Sequence, residues 1–192
     1  MRPLPEKFLA AMIAVRPLPG SPGYRGDDDT IVTAALSDLQ QYAEAGVDAI
    51  VLENSHDLPY IKPPLPEAAV ELMKRLAREV RQRFAGPVGI QMLEAANETA
   101  LEIAHEADLD FLRVEGYVFA HVGGAGIIEG CAGKLLRKRQ ELRALGLGAR
   151  RGIRERTAVA RNMERTVFAL FDIAKGNVVR PASIGRGEFF DL

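Results

Sequence analysis

Apolar residues fall along this chain in two alternating patterns. Short stretches are apolar at almost every position: Ala10 to Val15, Ala49 to Leu52, Val88 to Leu93, and the run inside Asp110-Phe111-Leu112-Arg113-Val114-Glu115. Such runs predict short strands covered on both faces, as in a parallel sheet. Between them, apolar positions recur every three or four residues. Val32, Leu36, Leu39 and Ala43 share one helical face, as do Ala69, Leu72, Met73, Leu76 and Val80, and then Ala100, Leu101 and Ala104. Asp27-Asp28-Asp29-Thr30 supplies acceptors and negative charge for the start of the first helix, Pro66 suits the first turn of the second, and Asn97 is placed to cap the third. A fourth helix, strongly basic in Lys134, Arg137, Lys138 and Arg139, is expected from about Ala132 to Leu145.

One stretch is repeated in outline. Glu44-Ala45-Gly46-Val47-Asp48-Ala49-Ile50-Val51-Leu52-Glu53 returns as Glu106-Ala107-Asp108-Leu109-Asp110-Phe111-Leu112-Arg113-Val114-Glu115. Each copy runs from a helix end, through an Asp, into an apolar strand that closes on Glu. The spacing is that of two strand-helix units, so the expectation is a parallel βα array displaying acids at one rim. In such folds the chemistry sits at that rim.

Polar residues gather where the strands end. Glu53-Asn54-Ser55-His56-Asp57 follows the second strand, and Gln91 lies inside the third apolar run, where burial would leave it needing a partner. Arg113 and Glu115 are two apart on the fourth strand and so share a side, where they either serve a ligand or pair with neighbouring charges. Arg16-Pro17-Leu18-Pro19-Gly20 makes a stiff loop after the first strand, either a rigid connection or a wall of a ligand site. His121 lies in a stretch with six glycines between Gly116 and Gly133. A glycine-rich turn before a helix can hold phosphate, but no dinucleotide or P-loop fingerprint is spelled here. Cys131 reads as a small packing residue.

Composition narrows the field. The 192 residues suit one domain, and a net charge of −1 offers no basic footprint for nucleic acid. No apolar run is long enough to span a bilayer and the first residues lack a secretion pattern, so a cytoplasmic protein is expected. A single cysteine cannot form an internal disulfide, and three histidines argue against a dedicated metal site. No cofactor is indicated.

Pro17-Leu18-Pro19-Gly20-Ser21-Pro22, Gly46-Val47-Asp48-Ala49-Ile50-Val51-Leu52-Glu53-Asn54 with Asp57, and Asp110-Phe111-Leu112-Arg113-Val114-Glu115 through Gly126-Ile127-Ile128-Glu129 together resemble the BtpA/SgcQ family over about residues 10 to 145. The resemblance implies a TIM-type (β/α)₈ barrel of the phosphate-binding kind. The family takes its name from a peripheral thylakoid protein of photosystem I biogenesis, and some relatives are described as nucleosidases. By that analogy the partner is a phosphorylated or nucleoside-like small molecule. Peripheral membrane association, at thylakoids, would follow only in a photosynthetic source. If the parent fold is an enzyme, Glu53 or Glu115 is the acid/base, Arg113 holds an anionic group or a carboxylate, and Asn54 orients. Arg16, Asp57, Gln91 and His121 complete the candidate ligand set.

A full barrel takes about 250 residues, and four units are used up by Leu145. Residues 146–192 are therefore expected to be a divergent tail, not a separate domain, carrying nine Lys/Arg against five Asp/Glu. From Thr157 an amphipathic helix is expected, with Val159, Met163, Val167, Leu170, Phe171 and Ala174 on one face, in preference to a fifth strand at Val167 to Phe171. The predicted architecture is thus α/β: an incomplete barrel of about four βα units plus a helical tail. Its exposed sheet edges would favour a homo-oligomer. A non-enzymatic assembly factor and an inactive truncated form are the alternatives to a small-molecule enzyme with nucleosidase or phosphosugar-type activity.

Overall fold

A computed structural model describes residues 8–144, 168–172 and 177–181. The four apolar runs become strands β1 (Ala10–Ala14), β2 (Ala49–Glu53), β3 (Val88–Gln91) and β4 (Phe111–Glu115), parallel and adjacent in chain order. Helices α1 (Asp28–Glu44), α2 (Glu67–Arg83) and α3 (Asn97–Glu106) connect them, and β4 leads into a hairpin, β5 (His121–Gly123) and β6 (Gly126–Ile128), before α4 (Ala132–Ala144). The molecule is α/β, with four parallel strands alternating with helices.

Alternation along each strand separates two faces. Ile13, Ile50, Leu52, Val88, Ile90, Leu112 and Val114 pack with the apolar stripes of the helices, among them Leu39, Leu72, Met73, Leu76, Val80 and Leu101. On the inner face Ala49, Val51 and Phe111 form a smaller cluster with Ala10. Small residues there make room for one large ring: a Cβ at Gly89 would fall 2.3 Å from the Phe111 ring. One layer further along the same face lie Ala14, Glu53 and Gln91, in register with one another.

The internal repeat has a structural meaning. In each copy the residue after the helix C-cap adopts positive φ, Gly46 at 74° and Asp108 at 54°, which turns the chain back toward the sheet. In each copy the Asp that follows pairs with the start of the preceding strand. Asp48 Oδ2 accepts from Leu9 N at 2.8 Å and its own N–H donates to Leu9 O at 3.0 Å, while Asp110 Oδ2 accepts from Val88 N at 2.9 Å and its N–H donates to Val88 O at 2.8 Å. The repeated Asp therefore sets the register of a strand pair.

Capping agrees in part with expectation. Asp27 caps α1, its Oδ1 accepting from Thr30 N at 3.0 Å. Pro66 occupies the position just before α2. Asn97 does not cap α3; Ala96 stands at that position without a side-chain bond, and the Asn97 amide is used elsewhere.

The tail differs more. Residues 168–172, expected within an amphipathic helix, form strand β7 (Phe168–Asp172), antiparallel to β4, and β8 (Asn177–Pro181) pairs antiparallel with β7. The physical reason is that β4 has a second edge of backbone donors and acceptors, and a strand satisfies it as a helix cannot. The rest of the expected helix, 157–167 and 173–174, lies outside the described residues. The sheet order is β1-β2-β3-β4-β7-β8.

Candidate functional site

Parallel strands bring their carboxyl ends to one rim, so the residues closing β2, β3 and β4 become neighbours. Arg113 Nη1 donates to Glu53 Oε2 at 2.7 Å. Because β3 lies between β2 and β4, this ion pair spans the level of Gln91, the register partner of Glu53. Gln91 is 0% exposed, yet among the described residues neither its Oε1 nor its Nε2 has a hydrogen-bond partner. A buried amide left unpaired costs about 1–3 kcal/mol, so its donor and acceptor mark a place where a polar group is awaited.

The loop after β2 braces the rim. Asn54 Nδ2 donates to Asp57 Oδ2 at 3.0 Å and to Leu93 O at 2.9 Å, while its Oδ1 accepts from Leu93 N at 2.6 Å. Asp57 Oδ1 accepts from Leu18 N at 2.7 Å, tying down the loop that follows β1. The Asp57 carboxyl is pushed above the usual carboxylate range, chiefly by burial, against the lowering effect of those bonds. The polar atoms of Asn54 and Asp57 are thus committed to protein groups. Arg16 sits on the exposed part of the β1–α1 loop.

Glu115 closes β4. Its Oε2 accepts from Ala95 N at 2.9 Å and its Oε1 lies 3.1 Å from His121 Nε2. Asn97 locks the same residue's backbone, Nδ2 donating to Glu115 O at 2.7 Å and Oδ1 accepting from Glu115 N at 3.1 Å. Asn97 Nδ2 also reaches Cys131 Sγ at 3.3 Å, and burial pushes the Cys131 thiol up to about 11. The cysteine is a packing group by its surroundings, unsuited to form a thiolate nucleophile.

The glycine-rich stretch is not an open phosphate turn. Its hairpin turn presents the N–H groups of Gly124 and Ala125 to the Glu94 carboxylate, the first at 2.6 Å. A Cβ at Gly123 would fall 2.2 Å from Glu94 Oε1, so a side chain there would push the carboxylate aside. Lys62 Nζ donates to Ile127 O at 2.5 Å and fastens the other strand of the hairpin. Glu94 was not among the sequence candidates, although its position at the end of the third apolar run matches those of Glu53 and Glu115. Tyr60 was missed as well. Its phenol is raised above its ordinary value by burial first and then by the charges of Glu53, Asp57, Glu94 and Glu115. These causes describe a rim rich in carboxylates.

Among the described residues no group of three His, Cys, Asp or Glu side chains is arranged to hold a metal ion, and no helix is long and apolar enough to cross a membrane.

Comparison with known proteins places the molecule. It is 35% identical over 189 residues to the uncharacterized mitochondrial protein F13E9.13 of Caenorhabditis elegans, covering 93% of this chain and 68% of that one. It is 32% identical over 134 residues to the photosystem I biogenesis protein BtpA of Synechocystis, covering 70% of this chain and 47% of the relative. The chain thus spans about two thirds of the first relative and about half of the second. A solved structure, 7,8-dihydropteroate synthase from Vibrio fischeri, aligns with a TM-score of 0.38 at 15% identity, over 79% of this chain and 63% of the other. A family model described as the BtpA family matches residues 5–174, running past residue 145 into the segment read from sequence as divergent, and the chain belongs to the BtpA family.

Proposed function

We propose that the rim of β2, β3 and β4 is a small-molecule acid/base site for a hydroxyl-rich, nucleoside-like substrate. The observation that carries this is Gln91, buried with both polar atoms unpaired at the level of the Glu53–Arg113 ion pair. An amide offers one donor and one acceptor side by side, which suits a hydroxyl pair or the edge of a base. The surrounding carboxylates, Glu53, Asp57, Glu94 and Glu115, disfavour a free phosphate facing them, while Arg113 is already paired with Glu53. Between a phosphorylated and a nucleoside-like ligand, the electrostatics favour the uncharged sugar end at this rim. Hydrolysis would form a bond from a water oxygen to the anomeric carbon as the glycosidic bond breaks, its electron pair leaving with the aglycone. A rim group accepts the water proton, and Glu53 stabilises the cationic sugar.

The test is calorimetry with inosine and hydrolysis of p-nitrophenyl β-D-ribofuranoside. Binding by the wild type, weakened about tenfold by Gln91→Ala, with turnover abolished by Glu53→Gln, is the expected result. Absence of both binding and turnover in the wild type overturns it.

A second role, as a partner-binding assembly factor, is favoured by a different observation. Leu58, Ile61, Val122 and Ile127 are exposed on the loop and hairpin at this rim, Val122 by 80%. The Synechocystis relative is named for photosystem I biogenesis. Unchanged turnover in a Val122→Ser/Ile127→Ser variant that has lost a protein partner would assign that role to the hairpin.

A further inference from the structure

We infer that His121 is the group that takes the proton at this rim, and that Glu115 is its positioning residue. The inference rests on the acid/base reading of the rim and assigns its proton acceptor.

The two residues are built as an oriented pair. Glu115 has both oxygens committed, Oε2 to Ala95 N at 2.9 Å and Oε1 to His121 Nε2 at 3.1 Å. Its backbone is held on both polar atoms by Asn97. A carboxylate so occupied holds its partner in place. The imidazole Nε2 faces a carboxylate oxygen, which accepts, so in the neutral ring the hydrogen is placed on Nε2 and Nδ1 carries the lone pair. Nδ1 is buried and has no hydrogen-bond partner among the described residues. A carboxylate fixing one nitrogen while the other is left as acceptor is the arrangement by which imidazole is aimed as a base.

The hairpin carrying His121 is also held from outside. Glu94 grips the turn through Gly124 and Ala125, and Lys62 grips Ile127. At the hinge into the hairpin, Gly116 has φ 59°, and a Cβ there would lie 2.9 Å from Ile128 Cγ2 and 3.6 Å from His121 Cε1. The hairpin that carries the ring is therefore held by Glu94 and Lys62, and the ring itself by Glu115.

In hydrolysis of p-nitrophenyl β-D-ribofuranoside, the bond from the anomeric carbon to the phenolic oxygen breaks with its electron pair going to nitrophenolate. The water oxygen bonds to that carbon, and the water proton passes to His121 Nδ1, to be released to solvent afterwards.

The experiment measures kcat and KM for this probe in the wild type, Glu53→Gln, His121→Ala and Glu115→Gln. Expected are a fall in kcat of about 100-fold or more for His121→Ala with KM little changed, partly restored by added imidazole. Glu115→Gln should lower kcat without such rescue. Wild-type turnover lost in Glu53→Gln but kept within about threefold in His121→Ala overturns the assignment while leaving the rim reading intact. Absence of wild-type turnover and inosine binding overturns both. A readout independent of variant folding is the ¹⁵N spectrum of the wild-type imidazole: a proton on Nε2 is expected, and a proton on Nδ1 overturns the assignment.

Discussion

Gly46 isolates a backbone effect. Its φ is 74°, and a Cβ placed on it would meet nothing within 4 Å, so only the cost of the left-handed conformation opposes a side chain. Gly46→Ala should therefore lower stability by about 1–2 kcal/mol, measured as a shifted urea midpoint with unchanged slope. At the matching position of the repeat Asp108 already adopts such a φ, as a short polar side chain tolerates. Cys131 makes a second residue-scale case. Burial holds its thiol at about 11 in the folded chain against an ordinary 9.0, so between those values the unfolded chain has released its proton and the folded chain has not. Stability then falls as pH rises through that window. Urea midpoints at pH 8 and pH 10 should drop more for the wild type than for Cys131→Ala. Equal drops would mean that the thiol is not shielded.

At the scale of elements, the β5–β6 hairpin depends on contacts from outside itself. With three-residue strands it has little stability of its own, and Glu94 and Lys62 supply its anchorage. Glu94→Ala should speed hydrogen exchange at Gly124 and Ala125 at least tenfold while leaving amides in the middle of α2 unchanged; equal protection in the variant would remove Glu94 from this role. The same element explains what the sequence left obscure. Four strands and four helices were legible because burial on both faces, or on one stripe, writes its period into neighbouring residues. The repeated Asp and the positive-φ position were legible for the same reason. The hairpin was not, because its glycines answer to a carboxylate about thirty positions earlier, and Asn97 read as a cap although its amide serves β4.

For the whole molecule, the six-stranded sheet ends at β1, whose backbone pairs on one side with β2. Among the described residues the other side of β1 is unpaired, and such an open parallel edge invites a second chain. Size-exclusion chromatography with light scattering should accordingly return the mass of two 20.9 kDa chains, and a particle of one chain at tens of micromolar would count against edge pairing. The tail illustrates why the global arrangement escapes local reading. Phe168 to Asp172 fits a helical stripe by spacing, yet it lies along β4 as a strand, since the open edge decides which backbone pairing is available. The sequence by itself determined the βα order, the two-unit repeat, the family, and the carboxylates that close the strands, because each is carried by residues close together in the chain. Only the tertiary structure decided that Arg113 reaches across β3 to Glu53, that Gln91 is buried without a partner, that Asn54 and Asp57 brace loops, and that Glu115 holds His121. Those facts depend on strand register and on side chains meeting across 6 to 60 positions of sequence, a distance over which no local periodicity carries information.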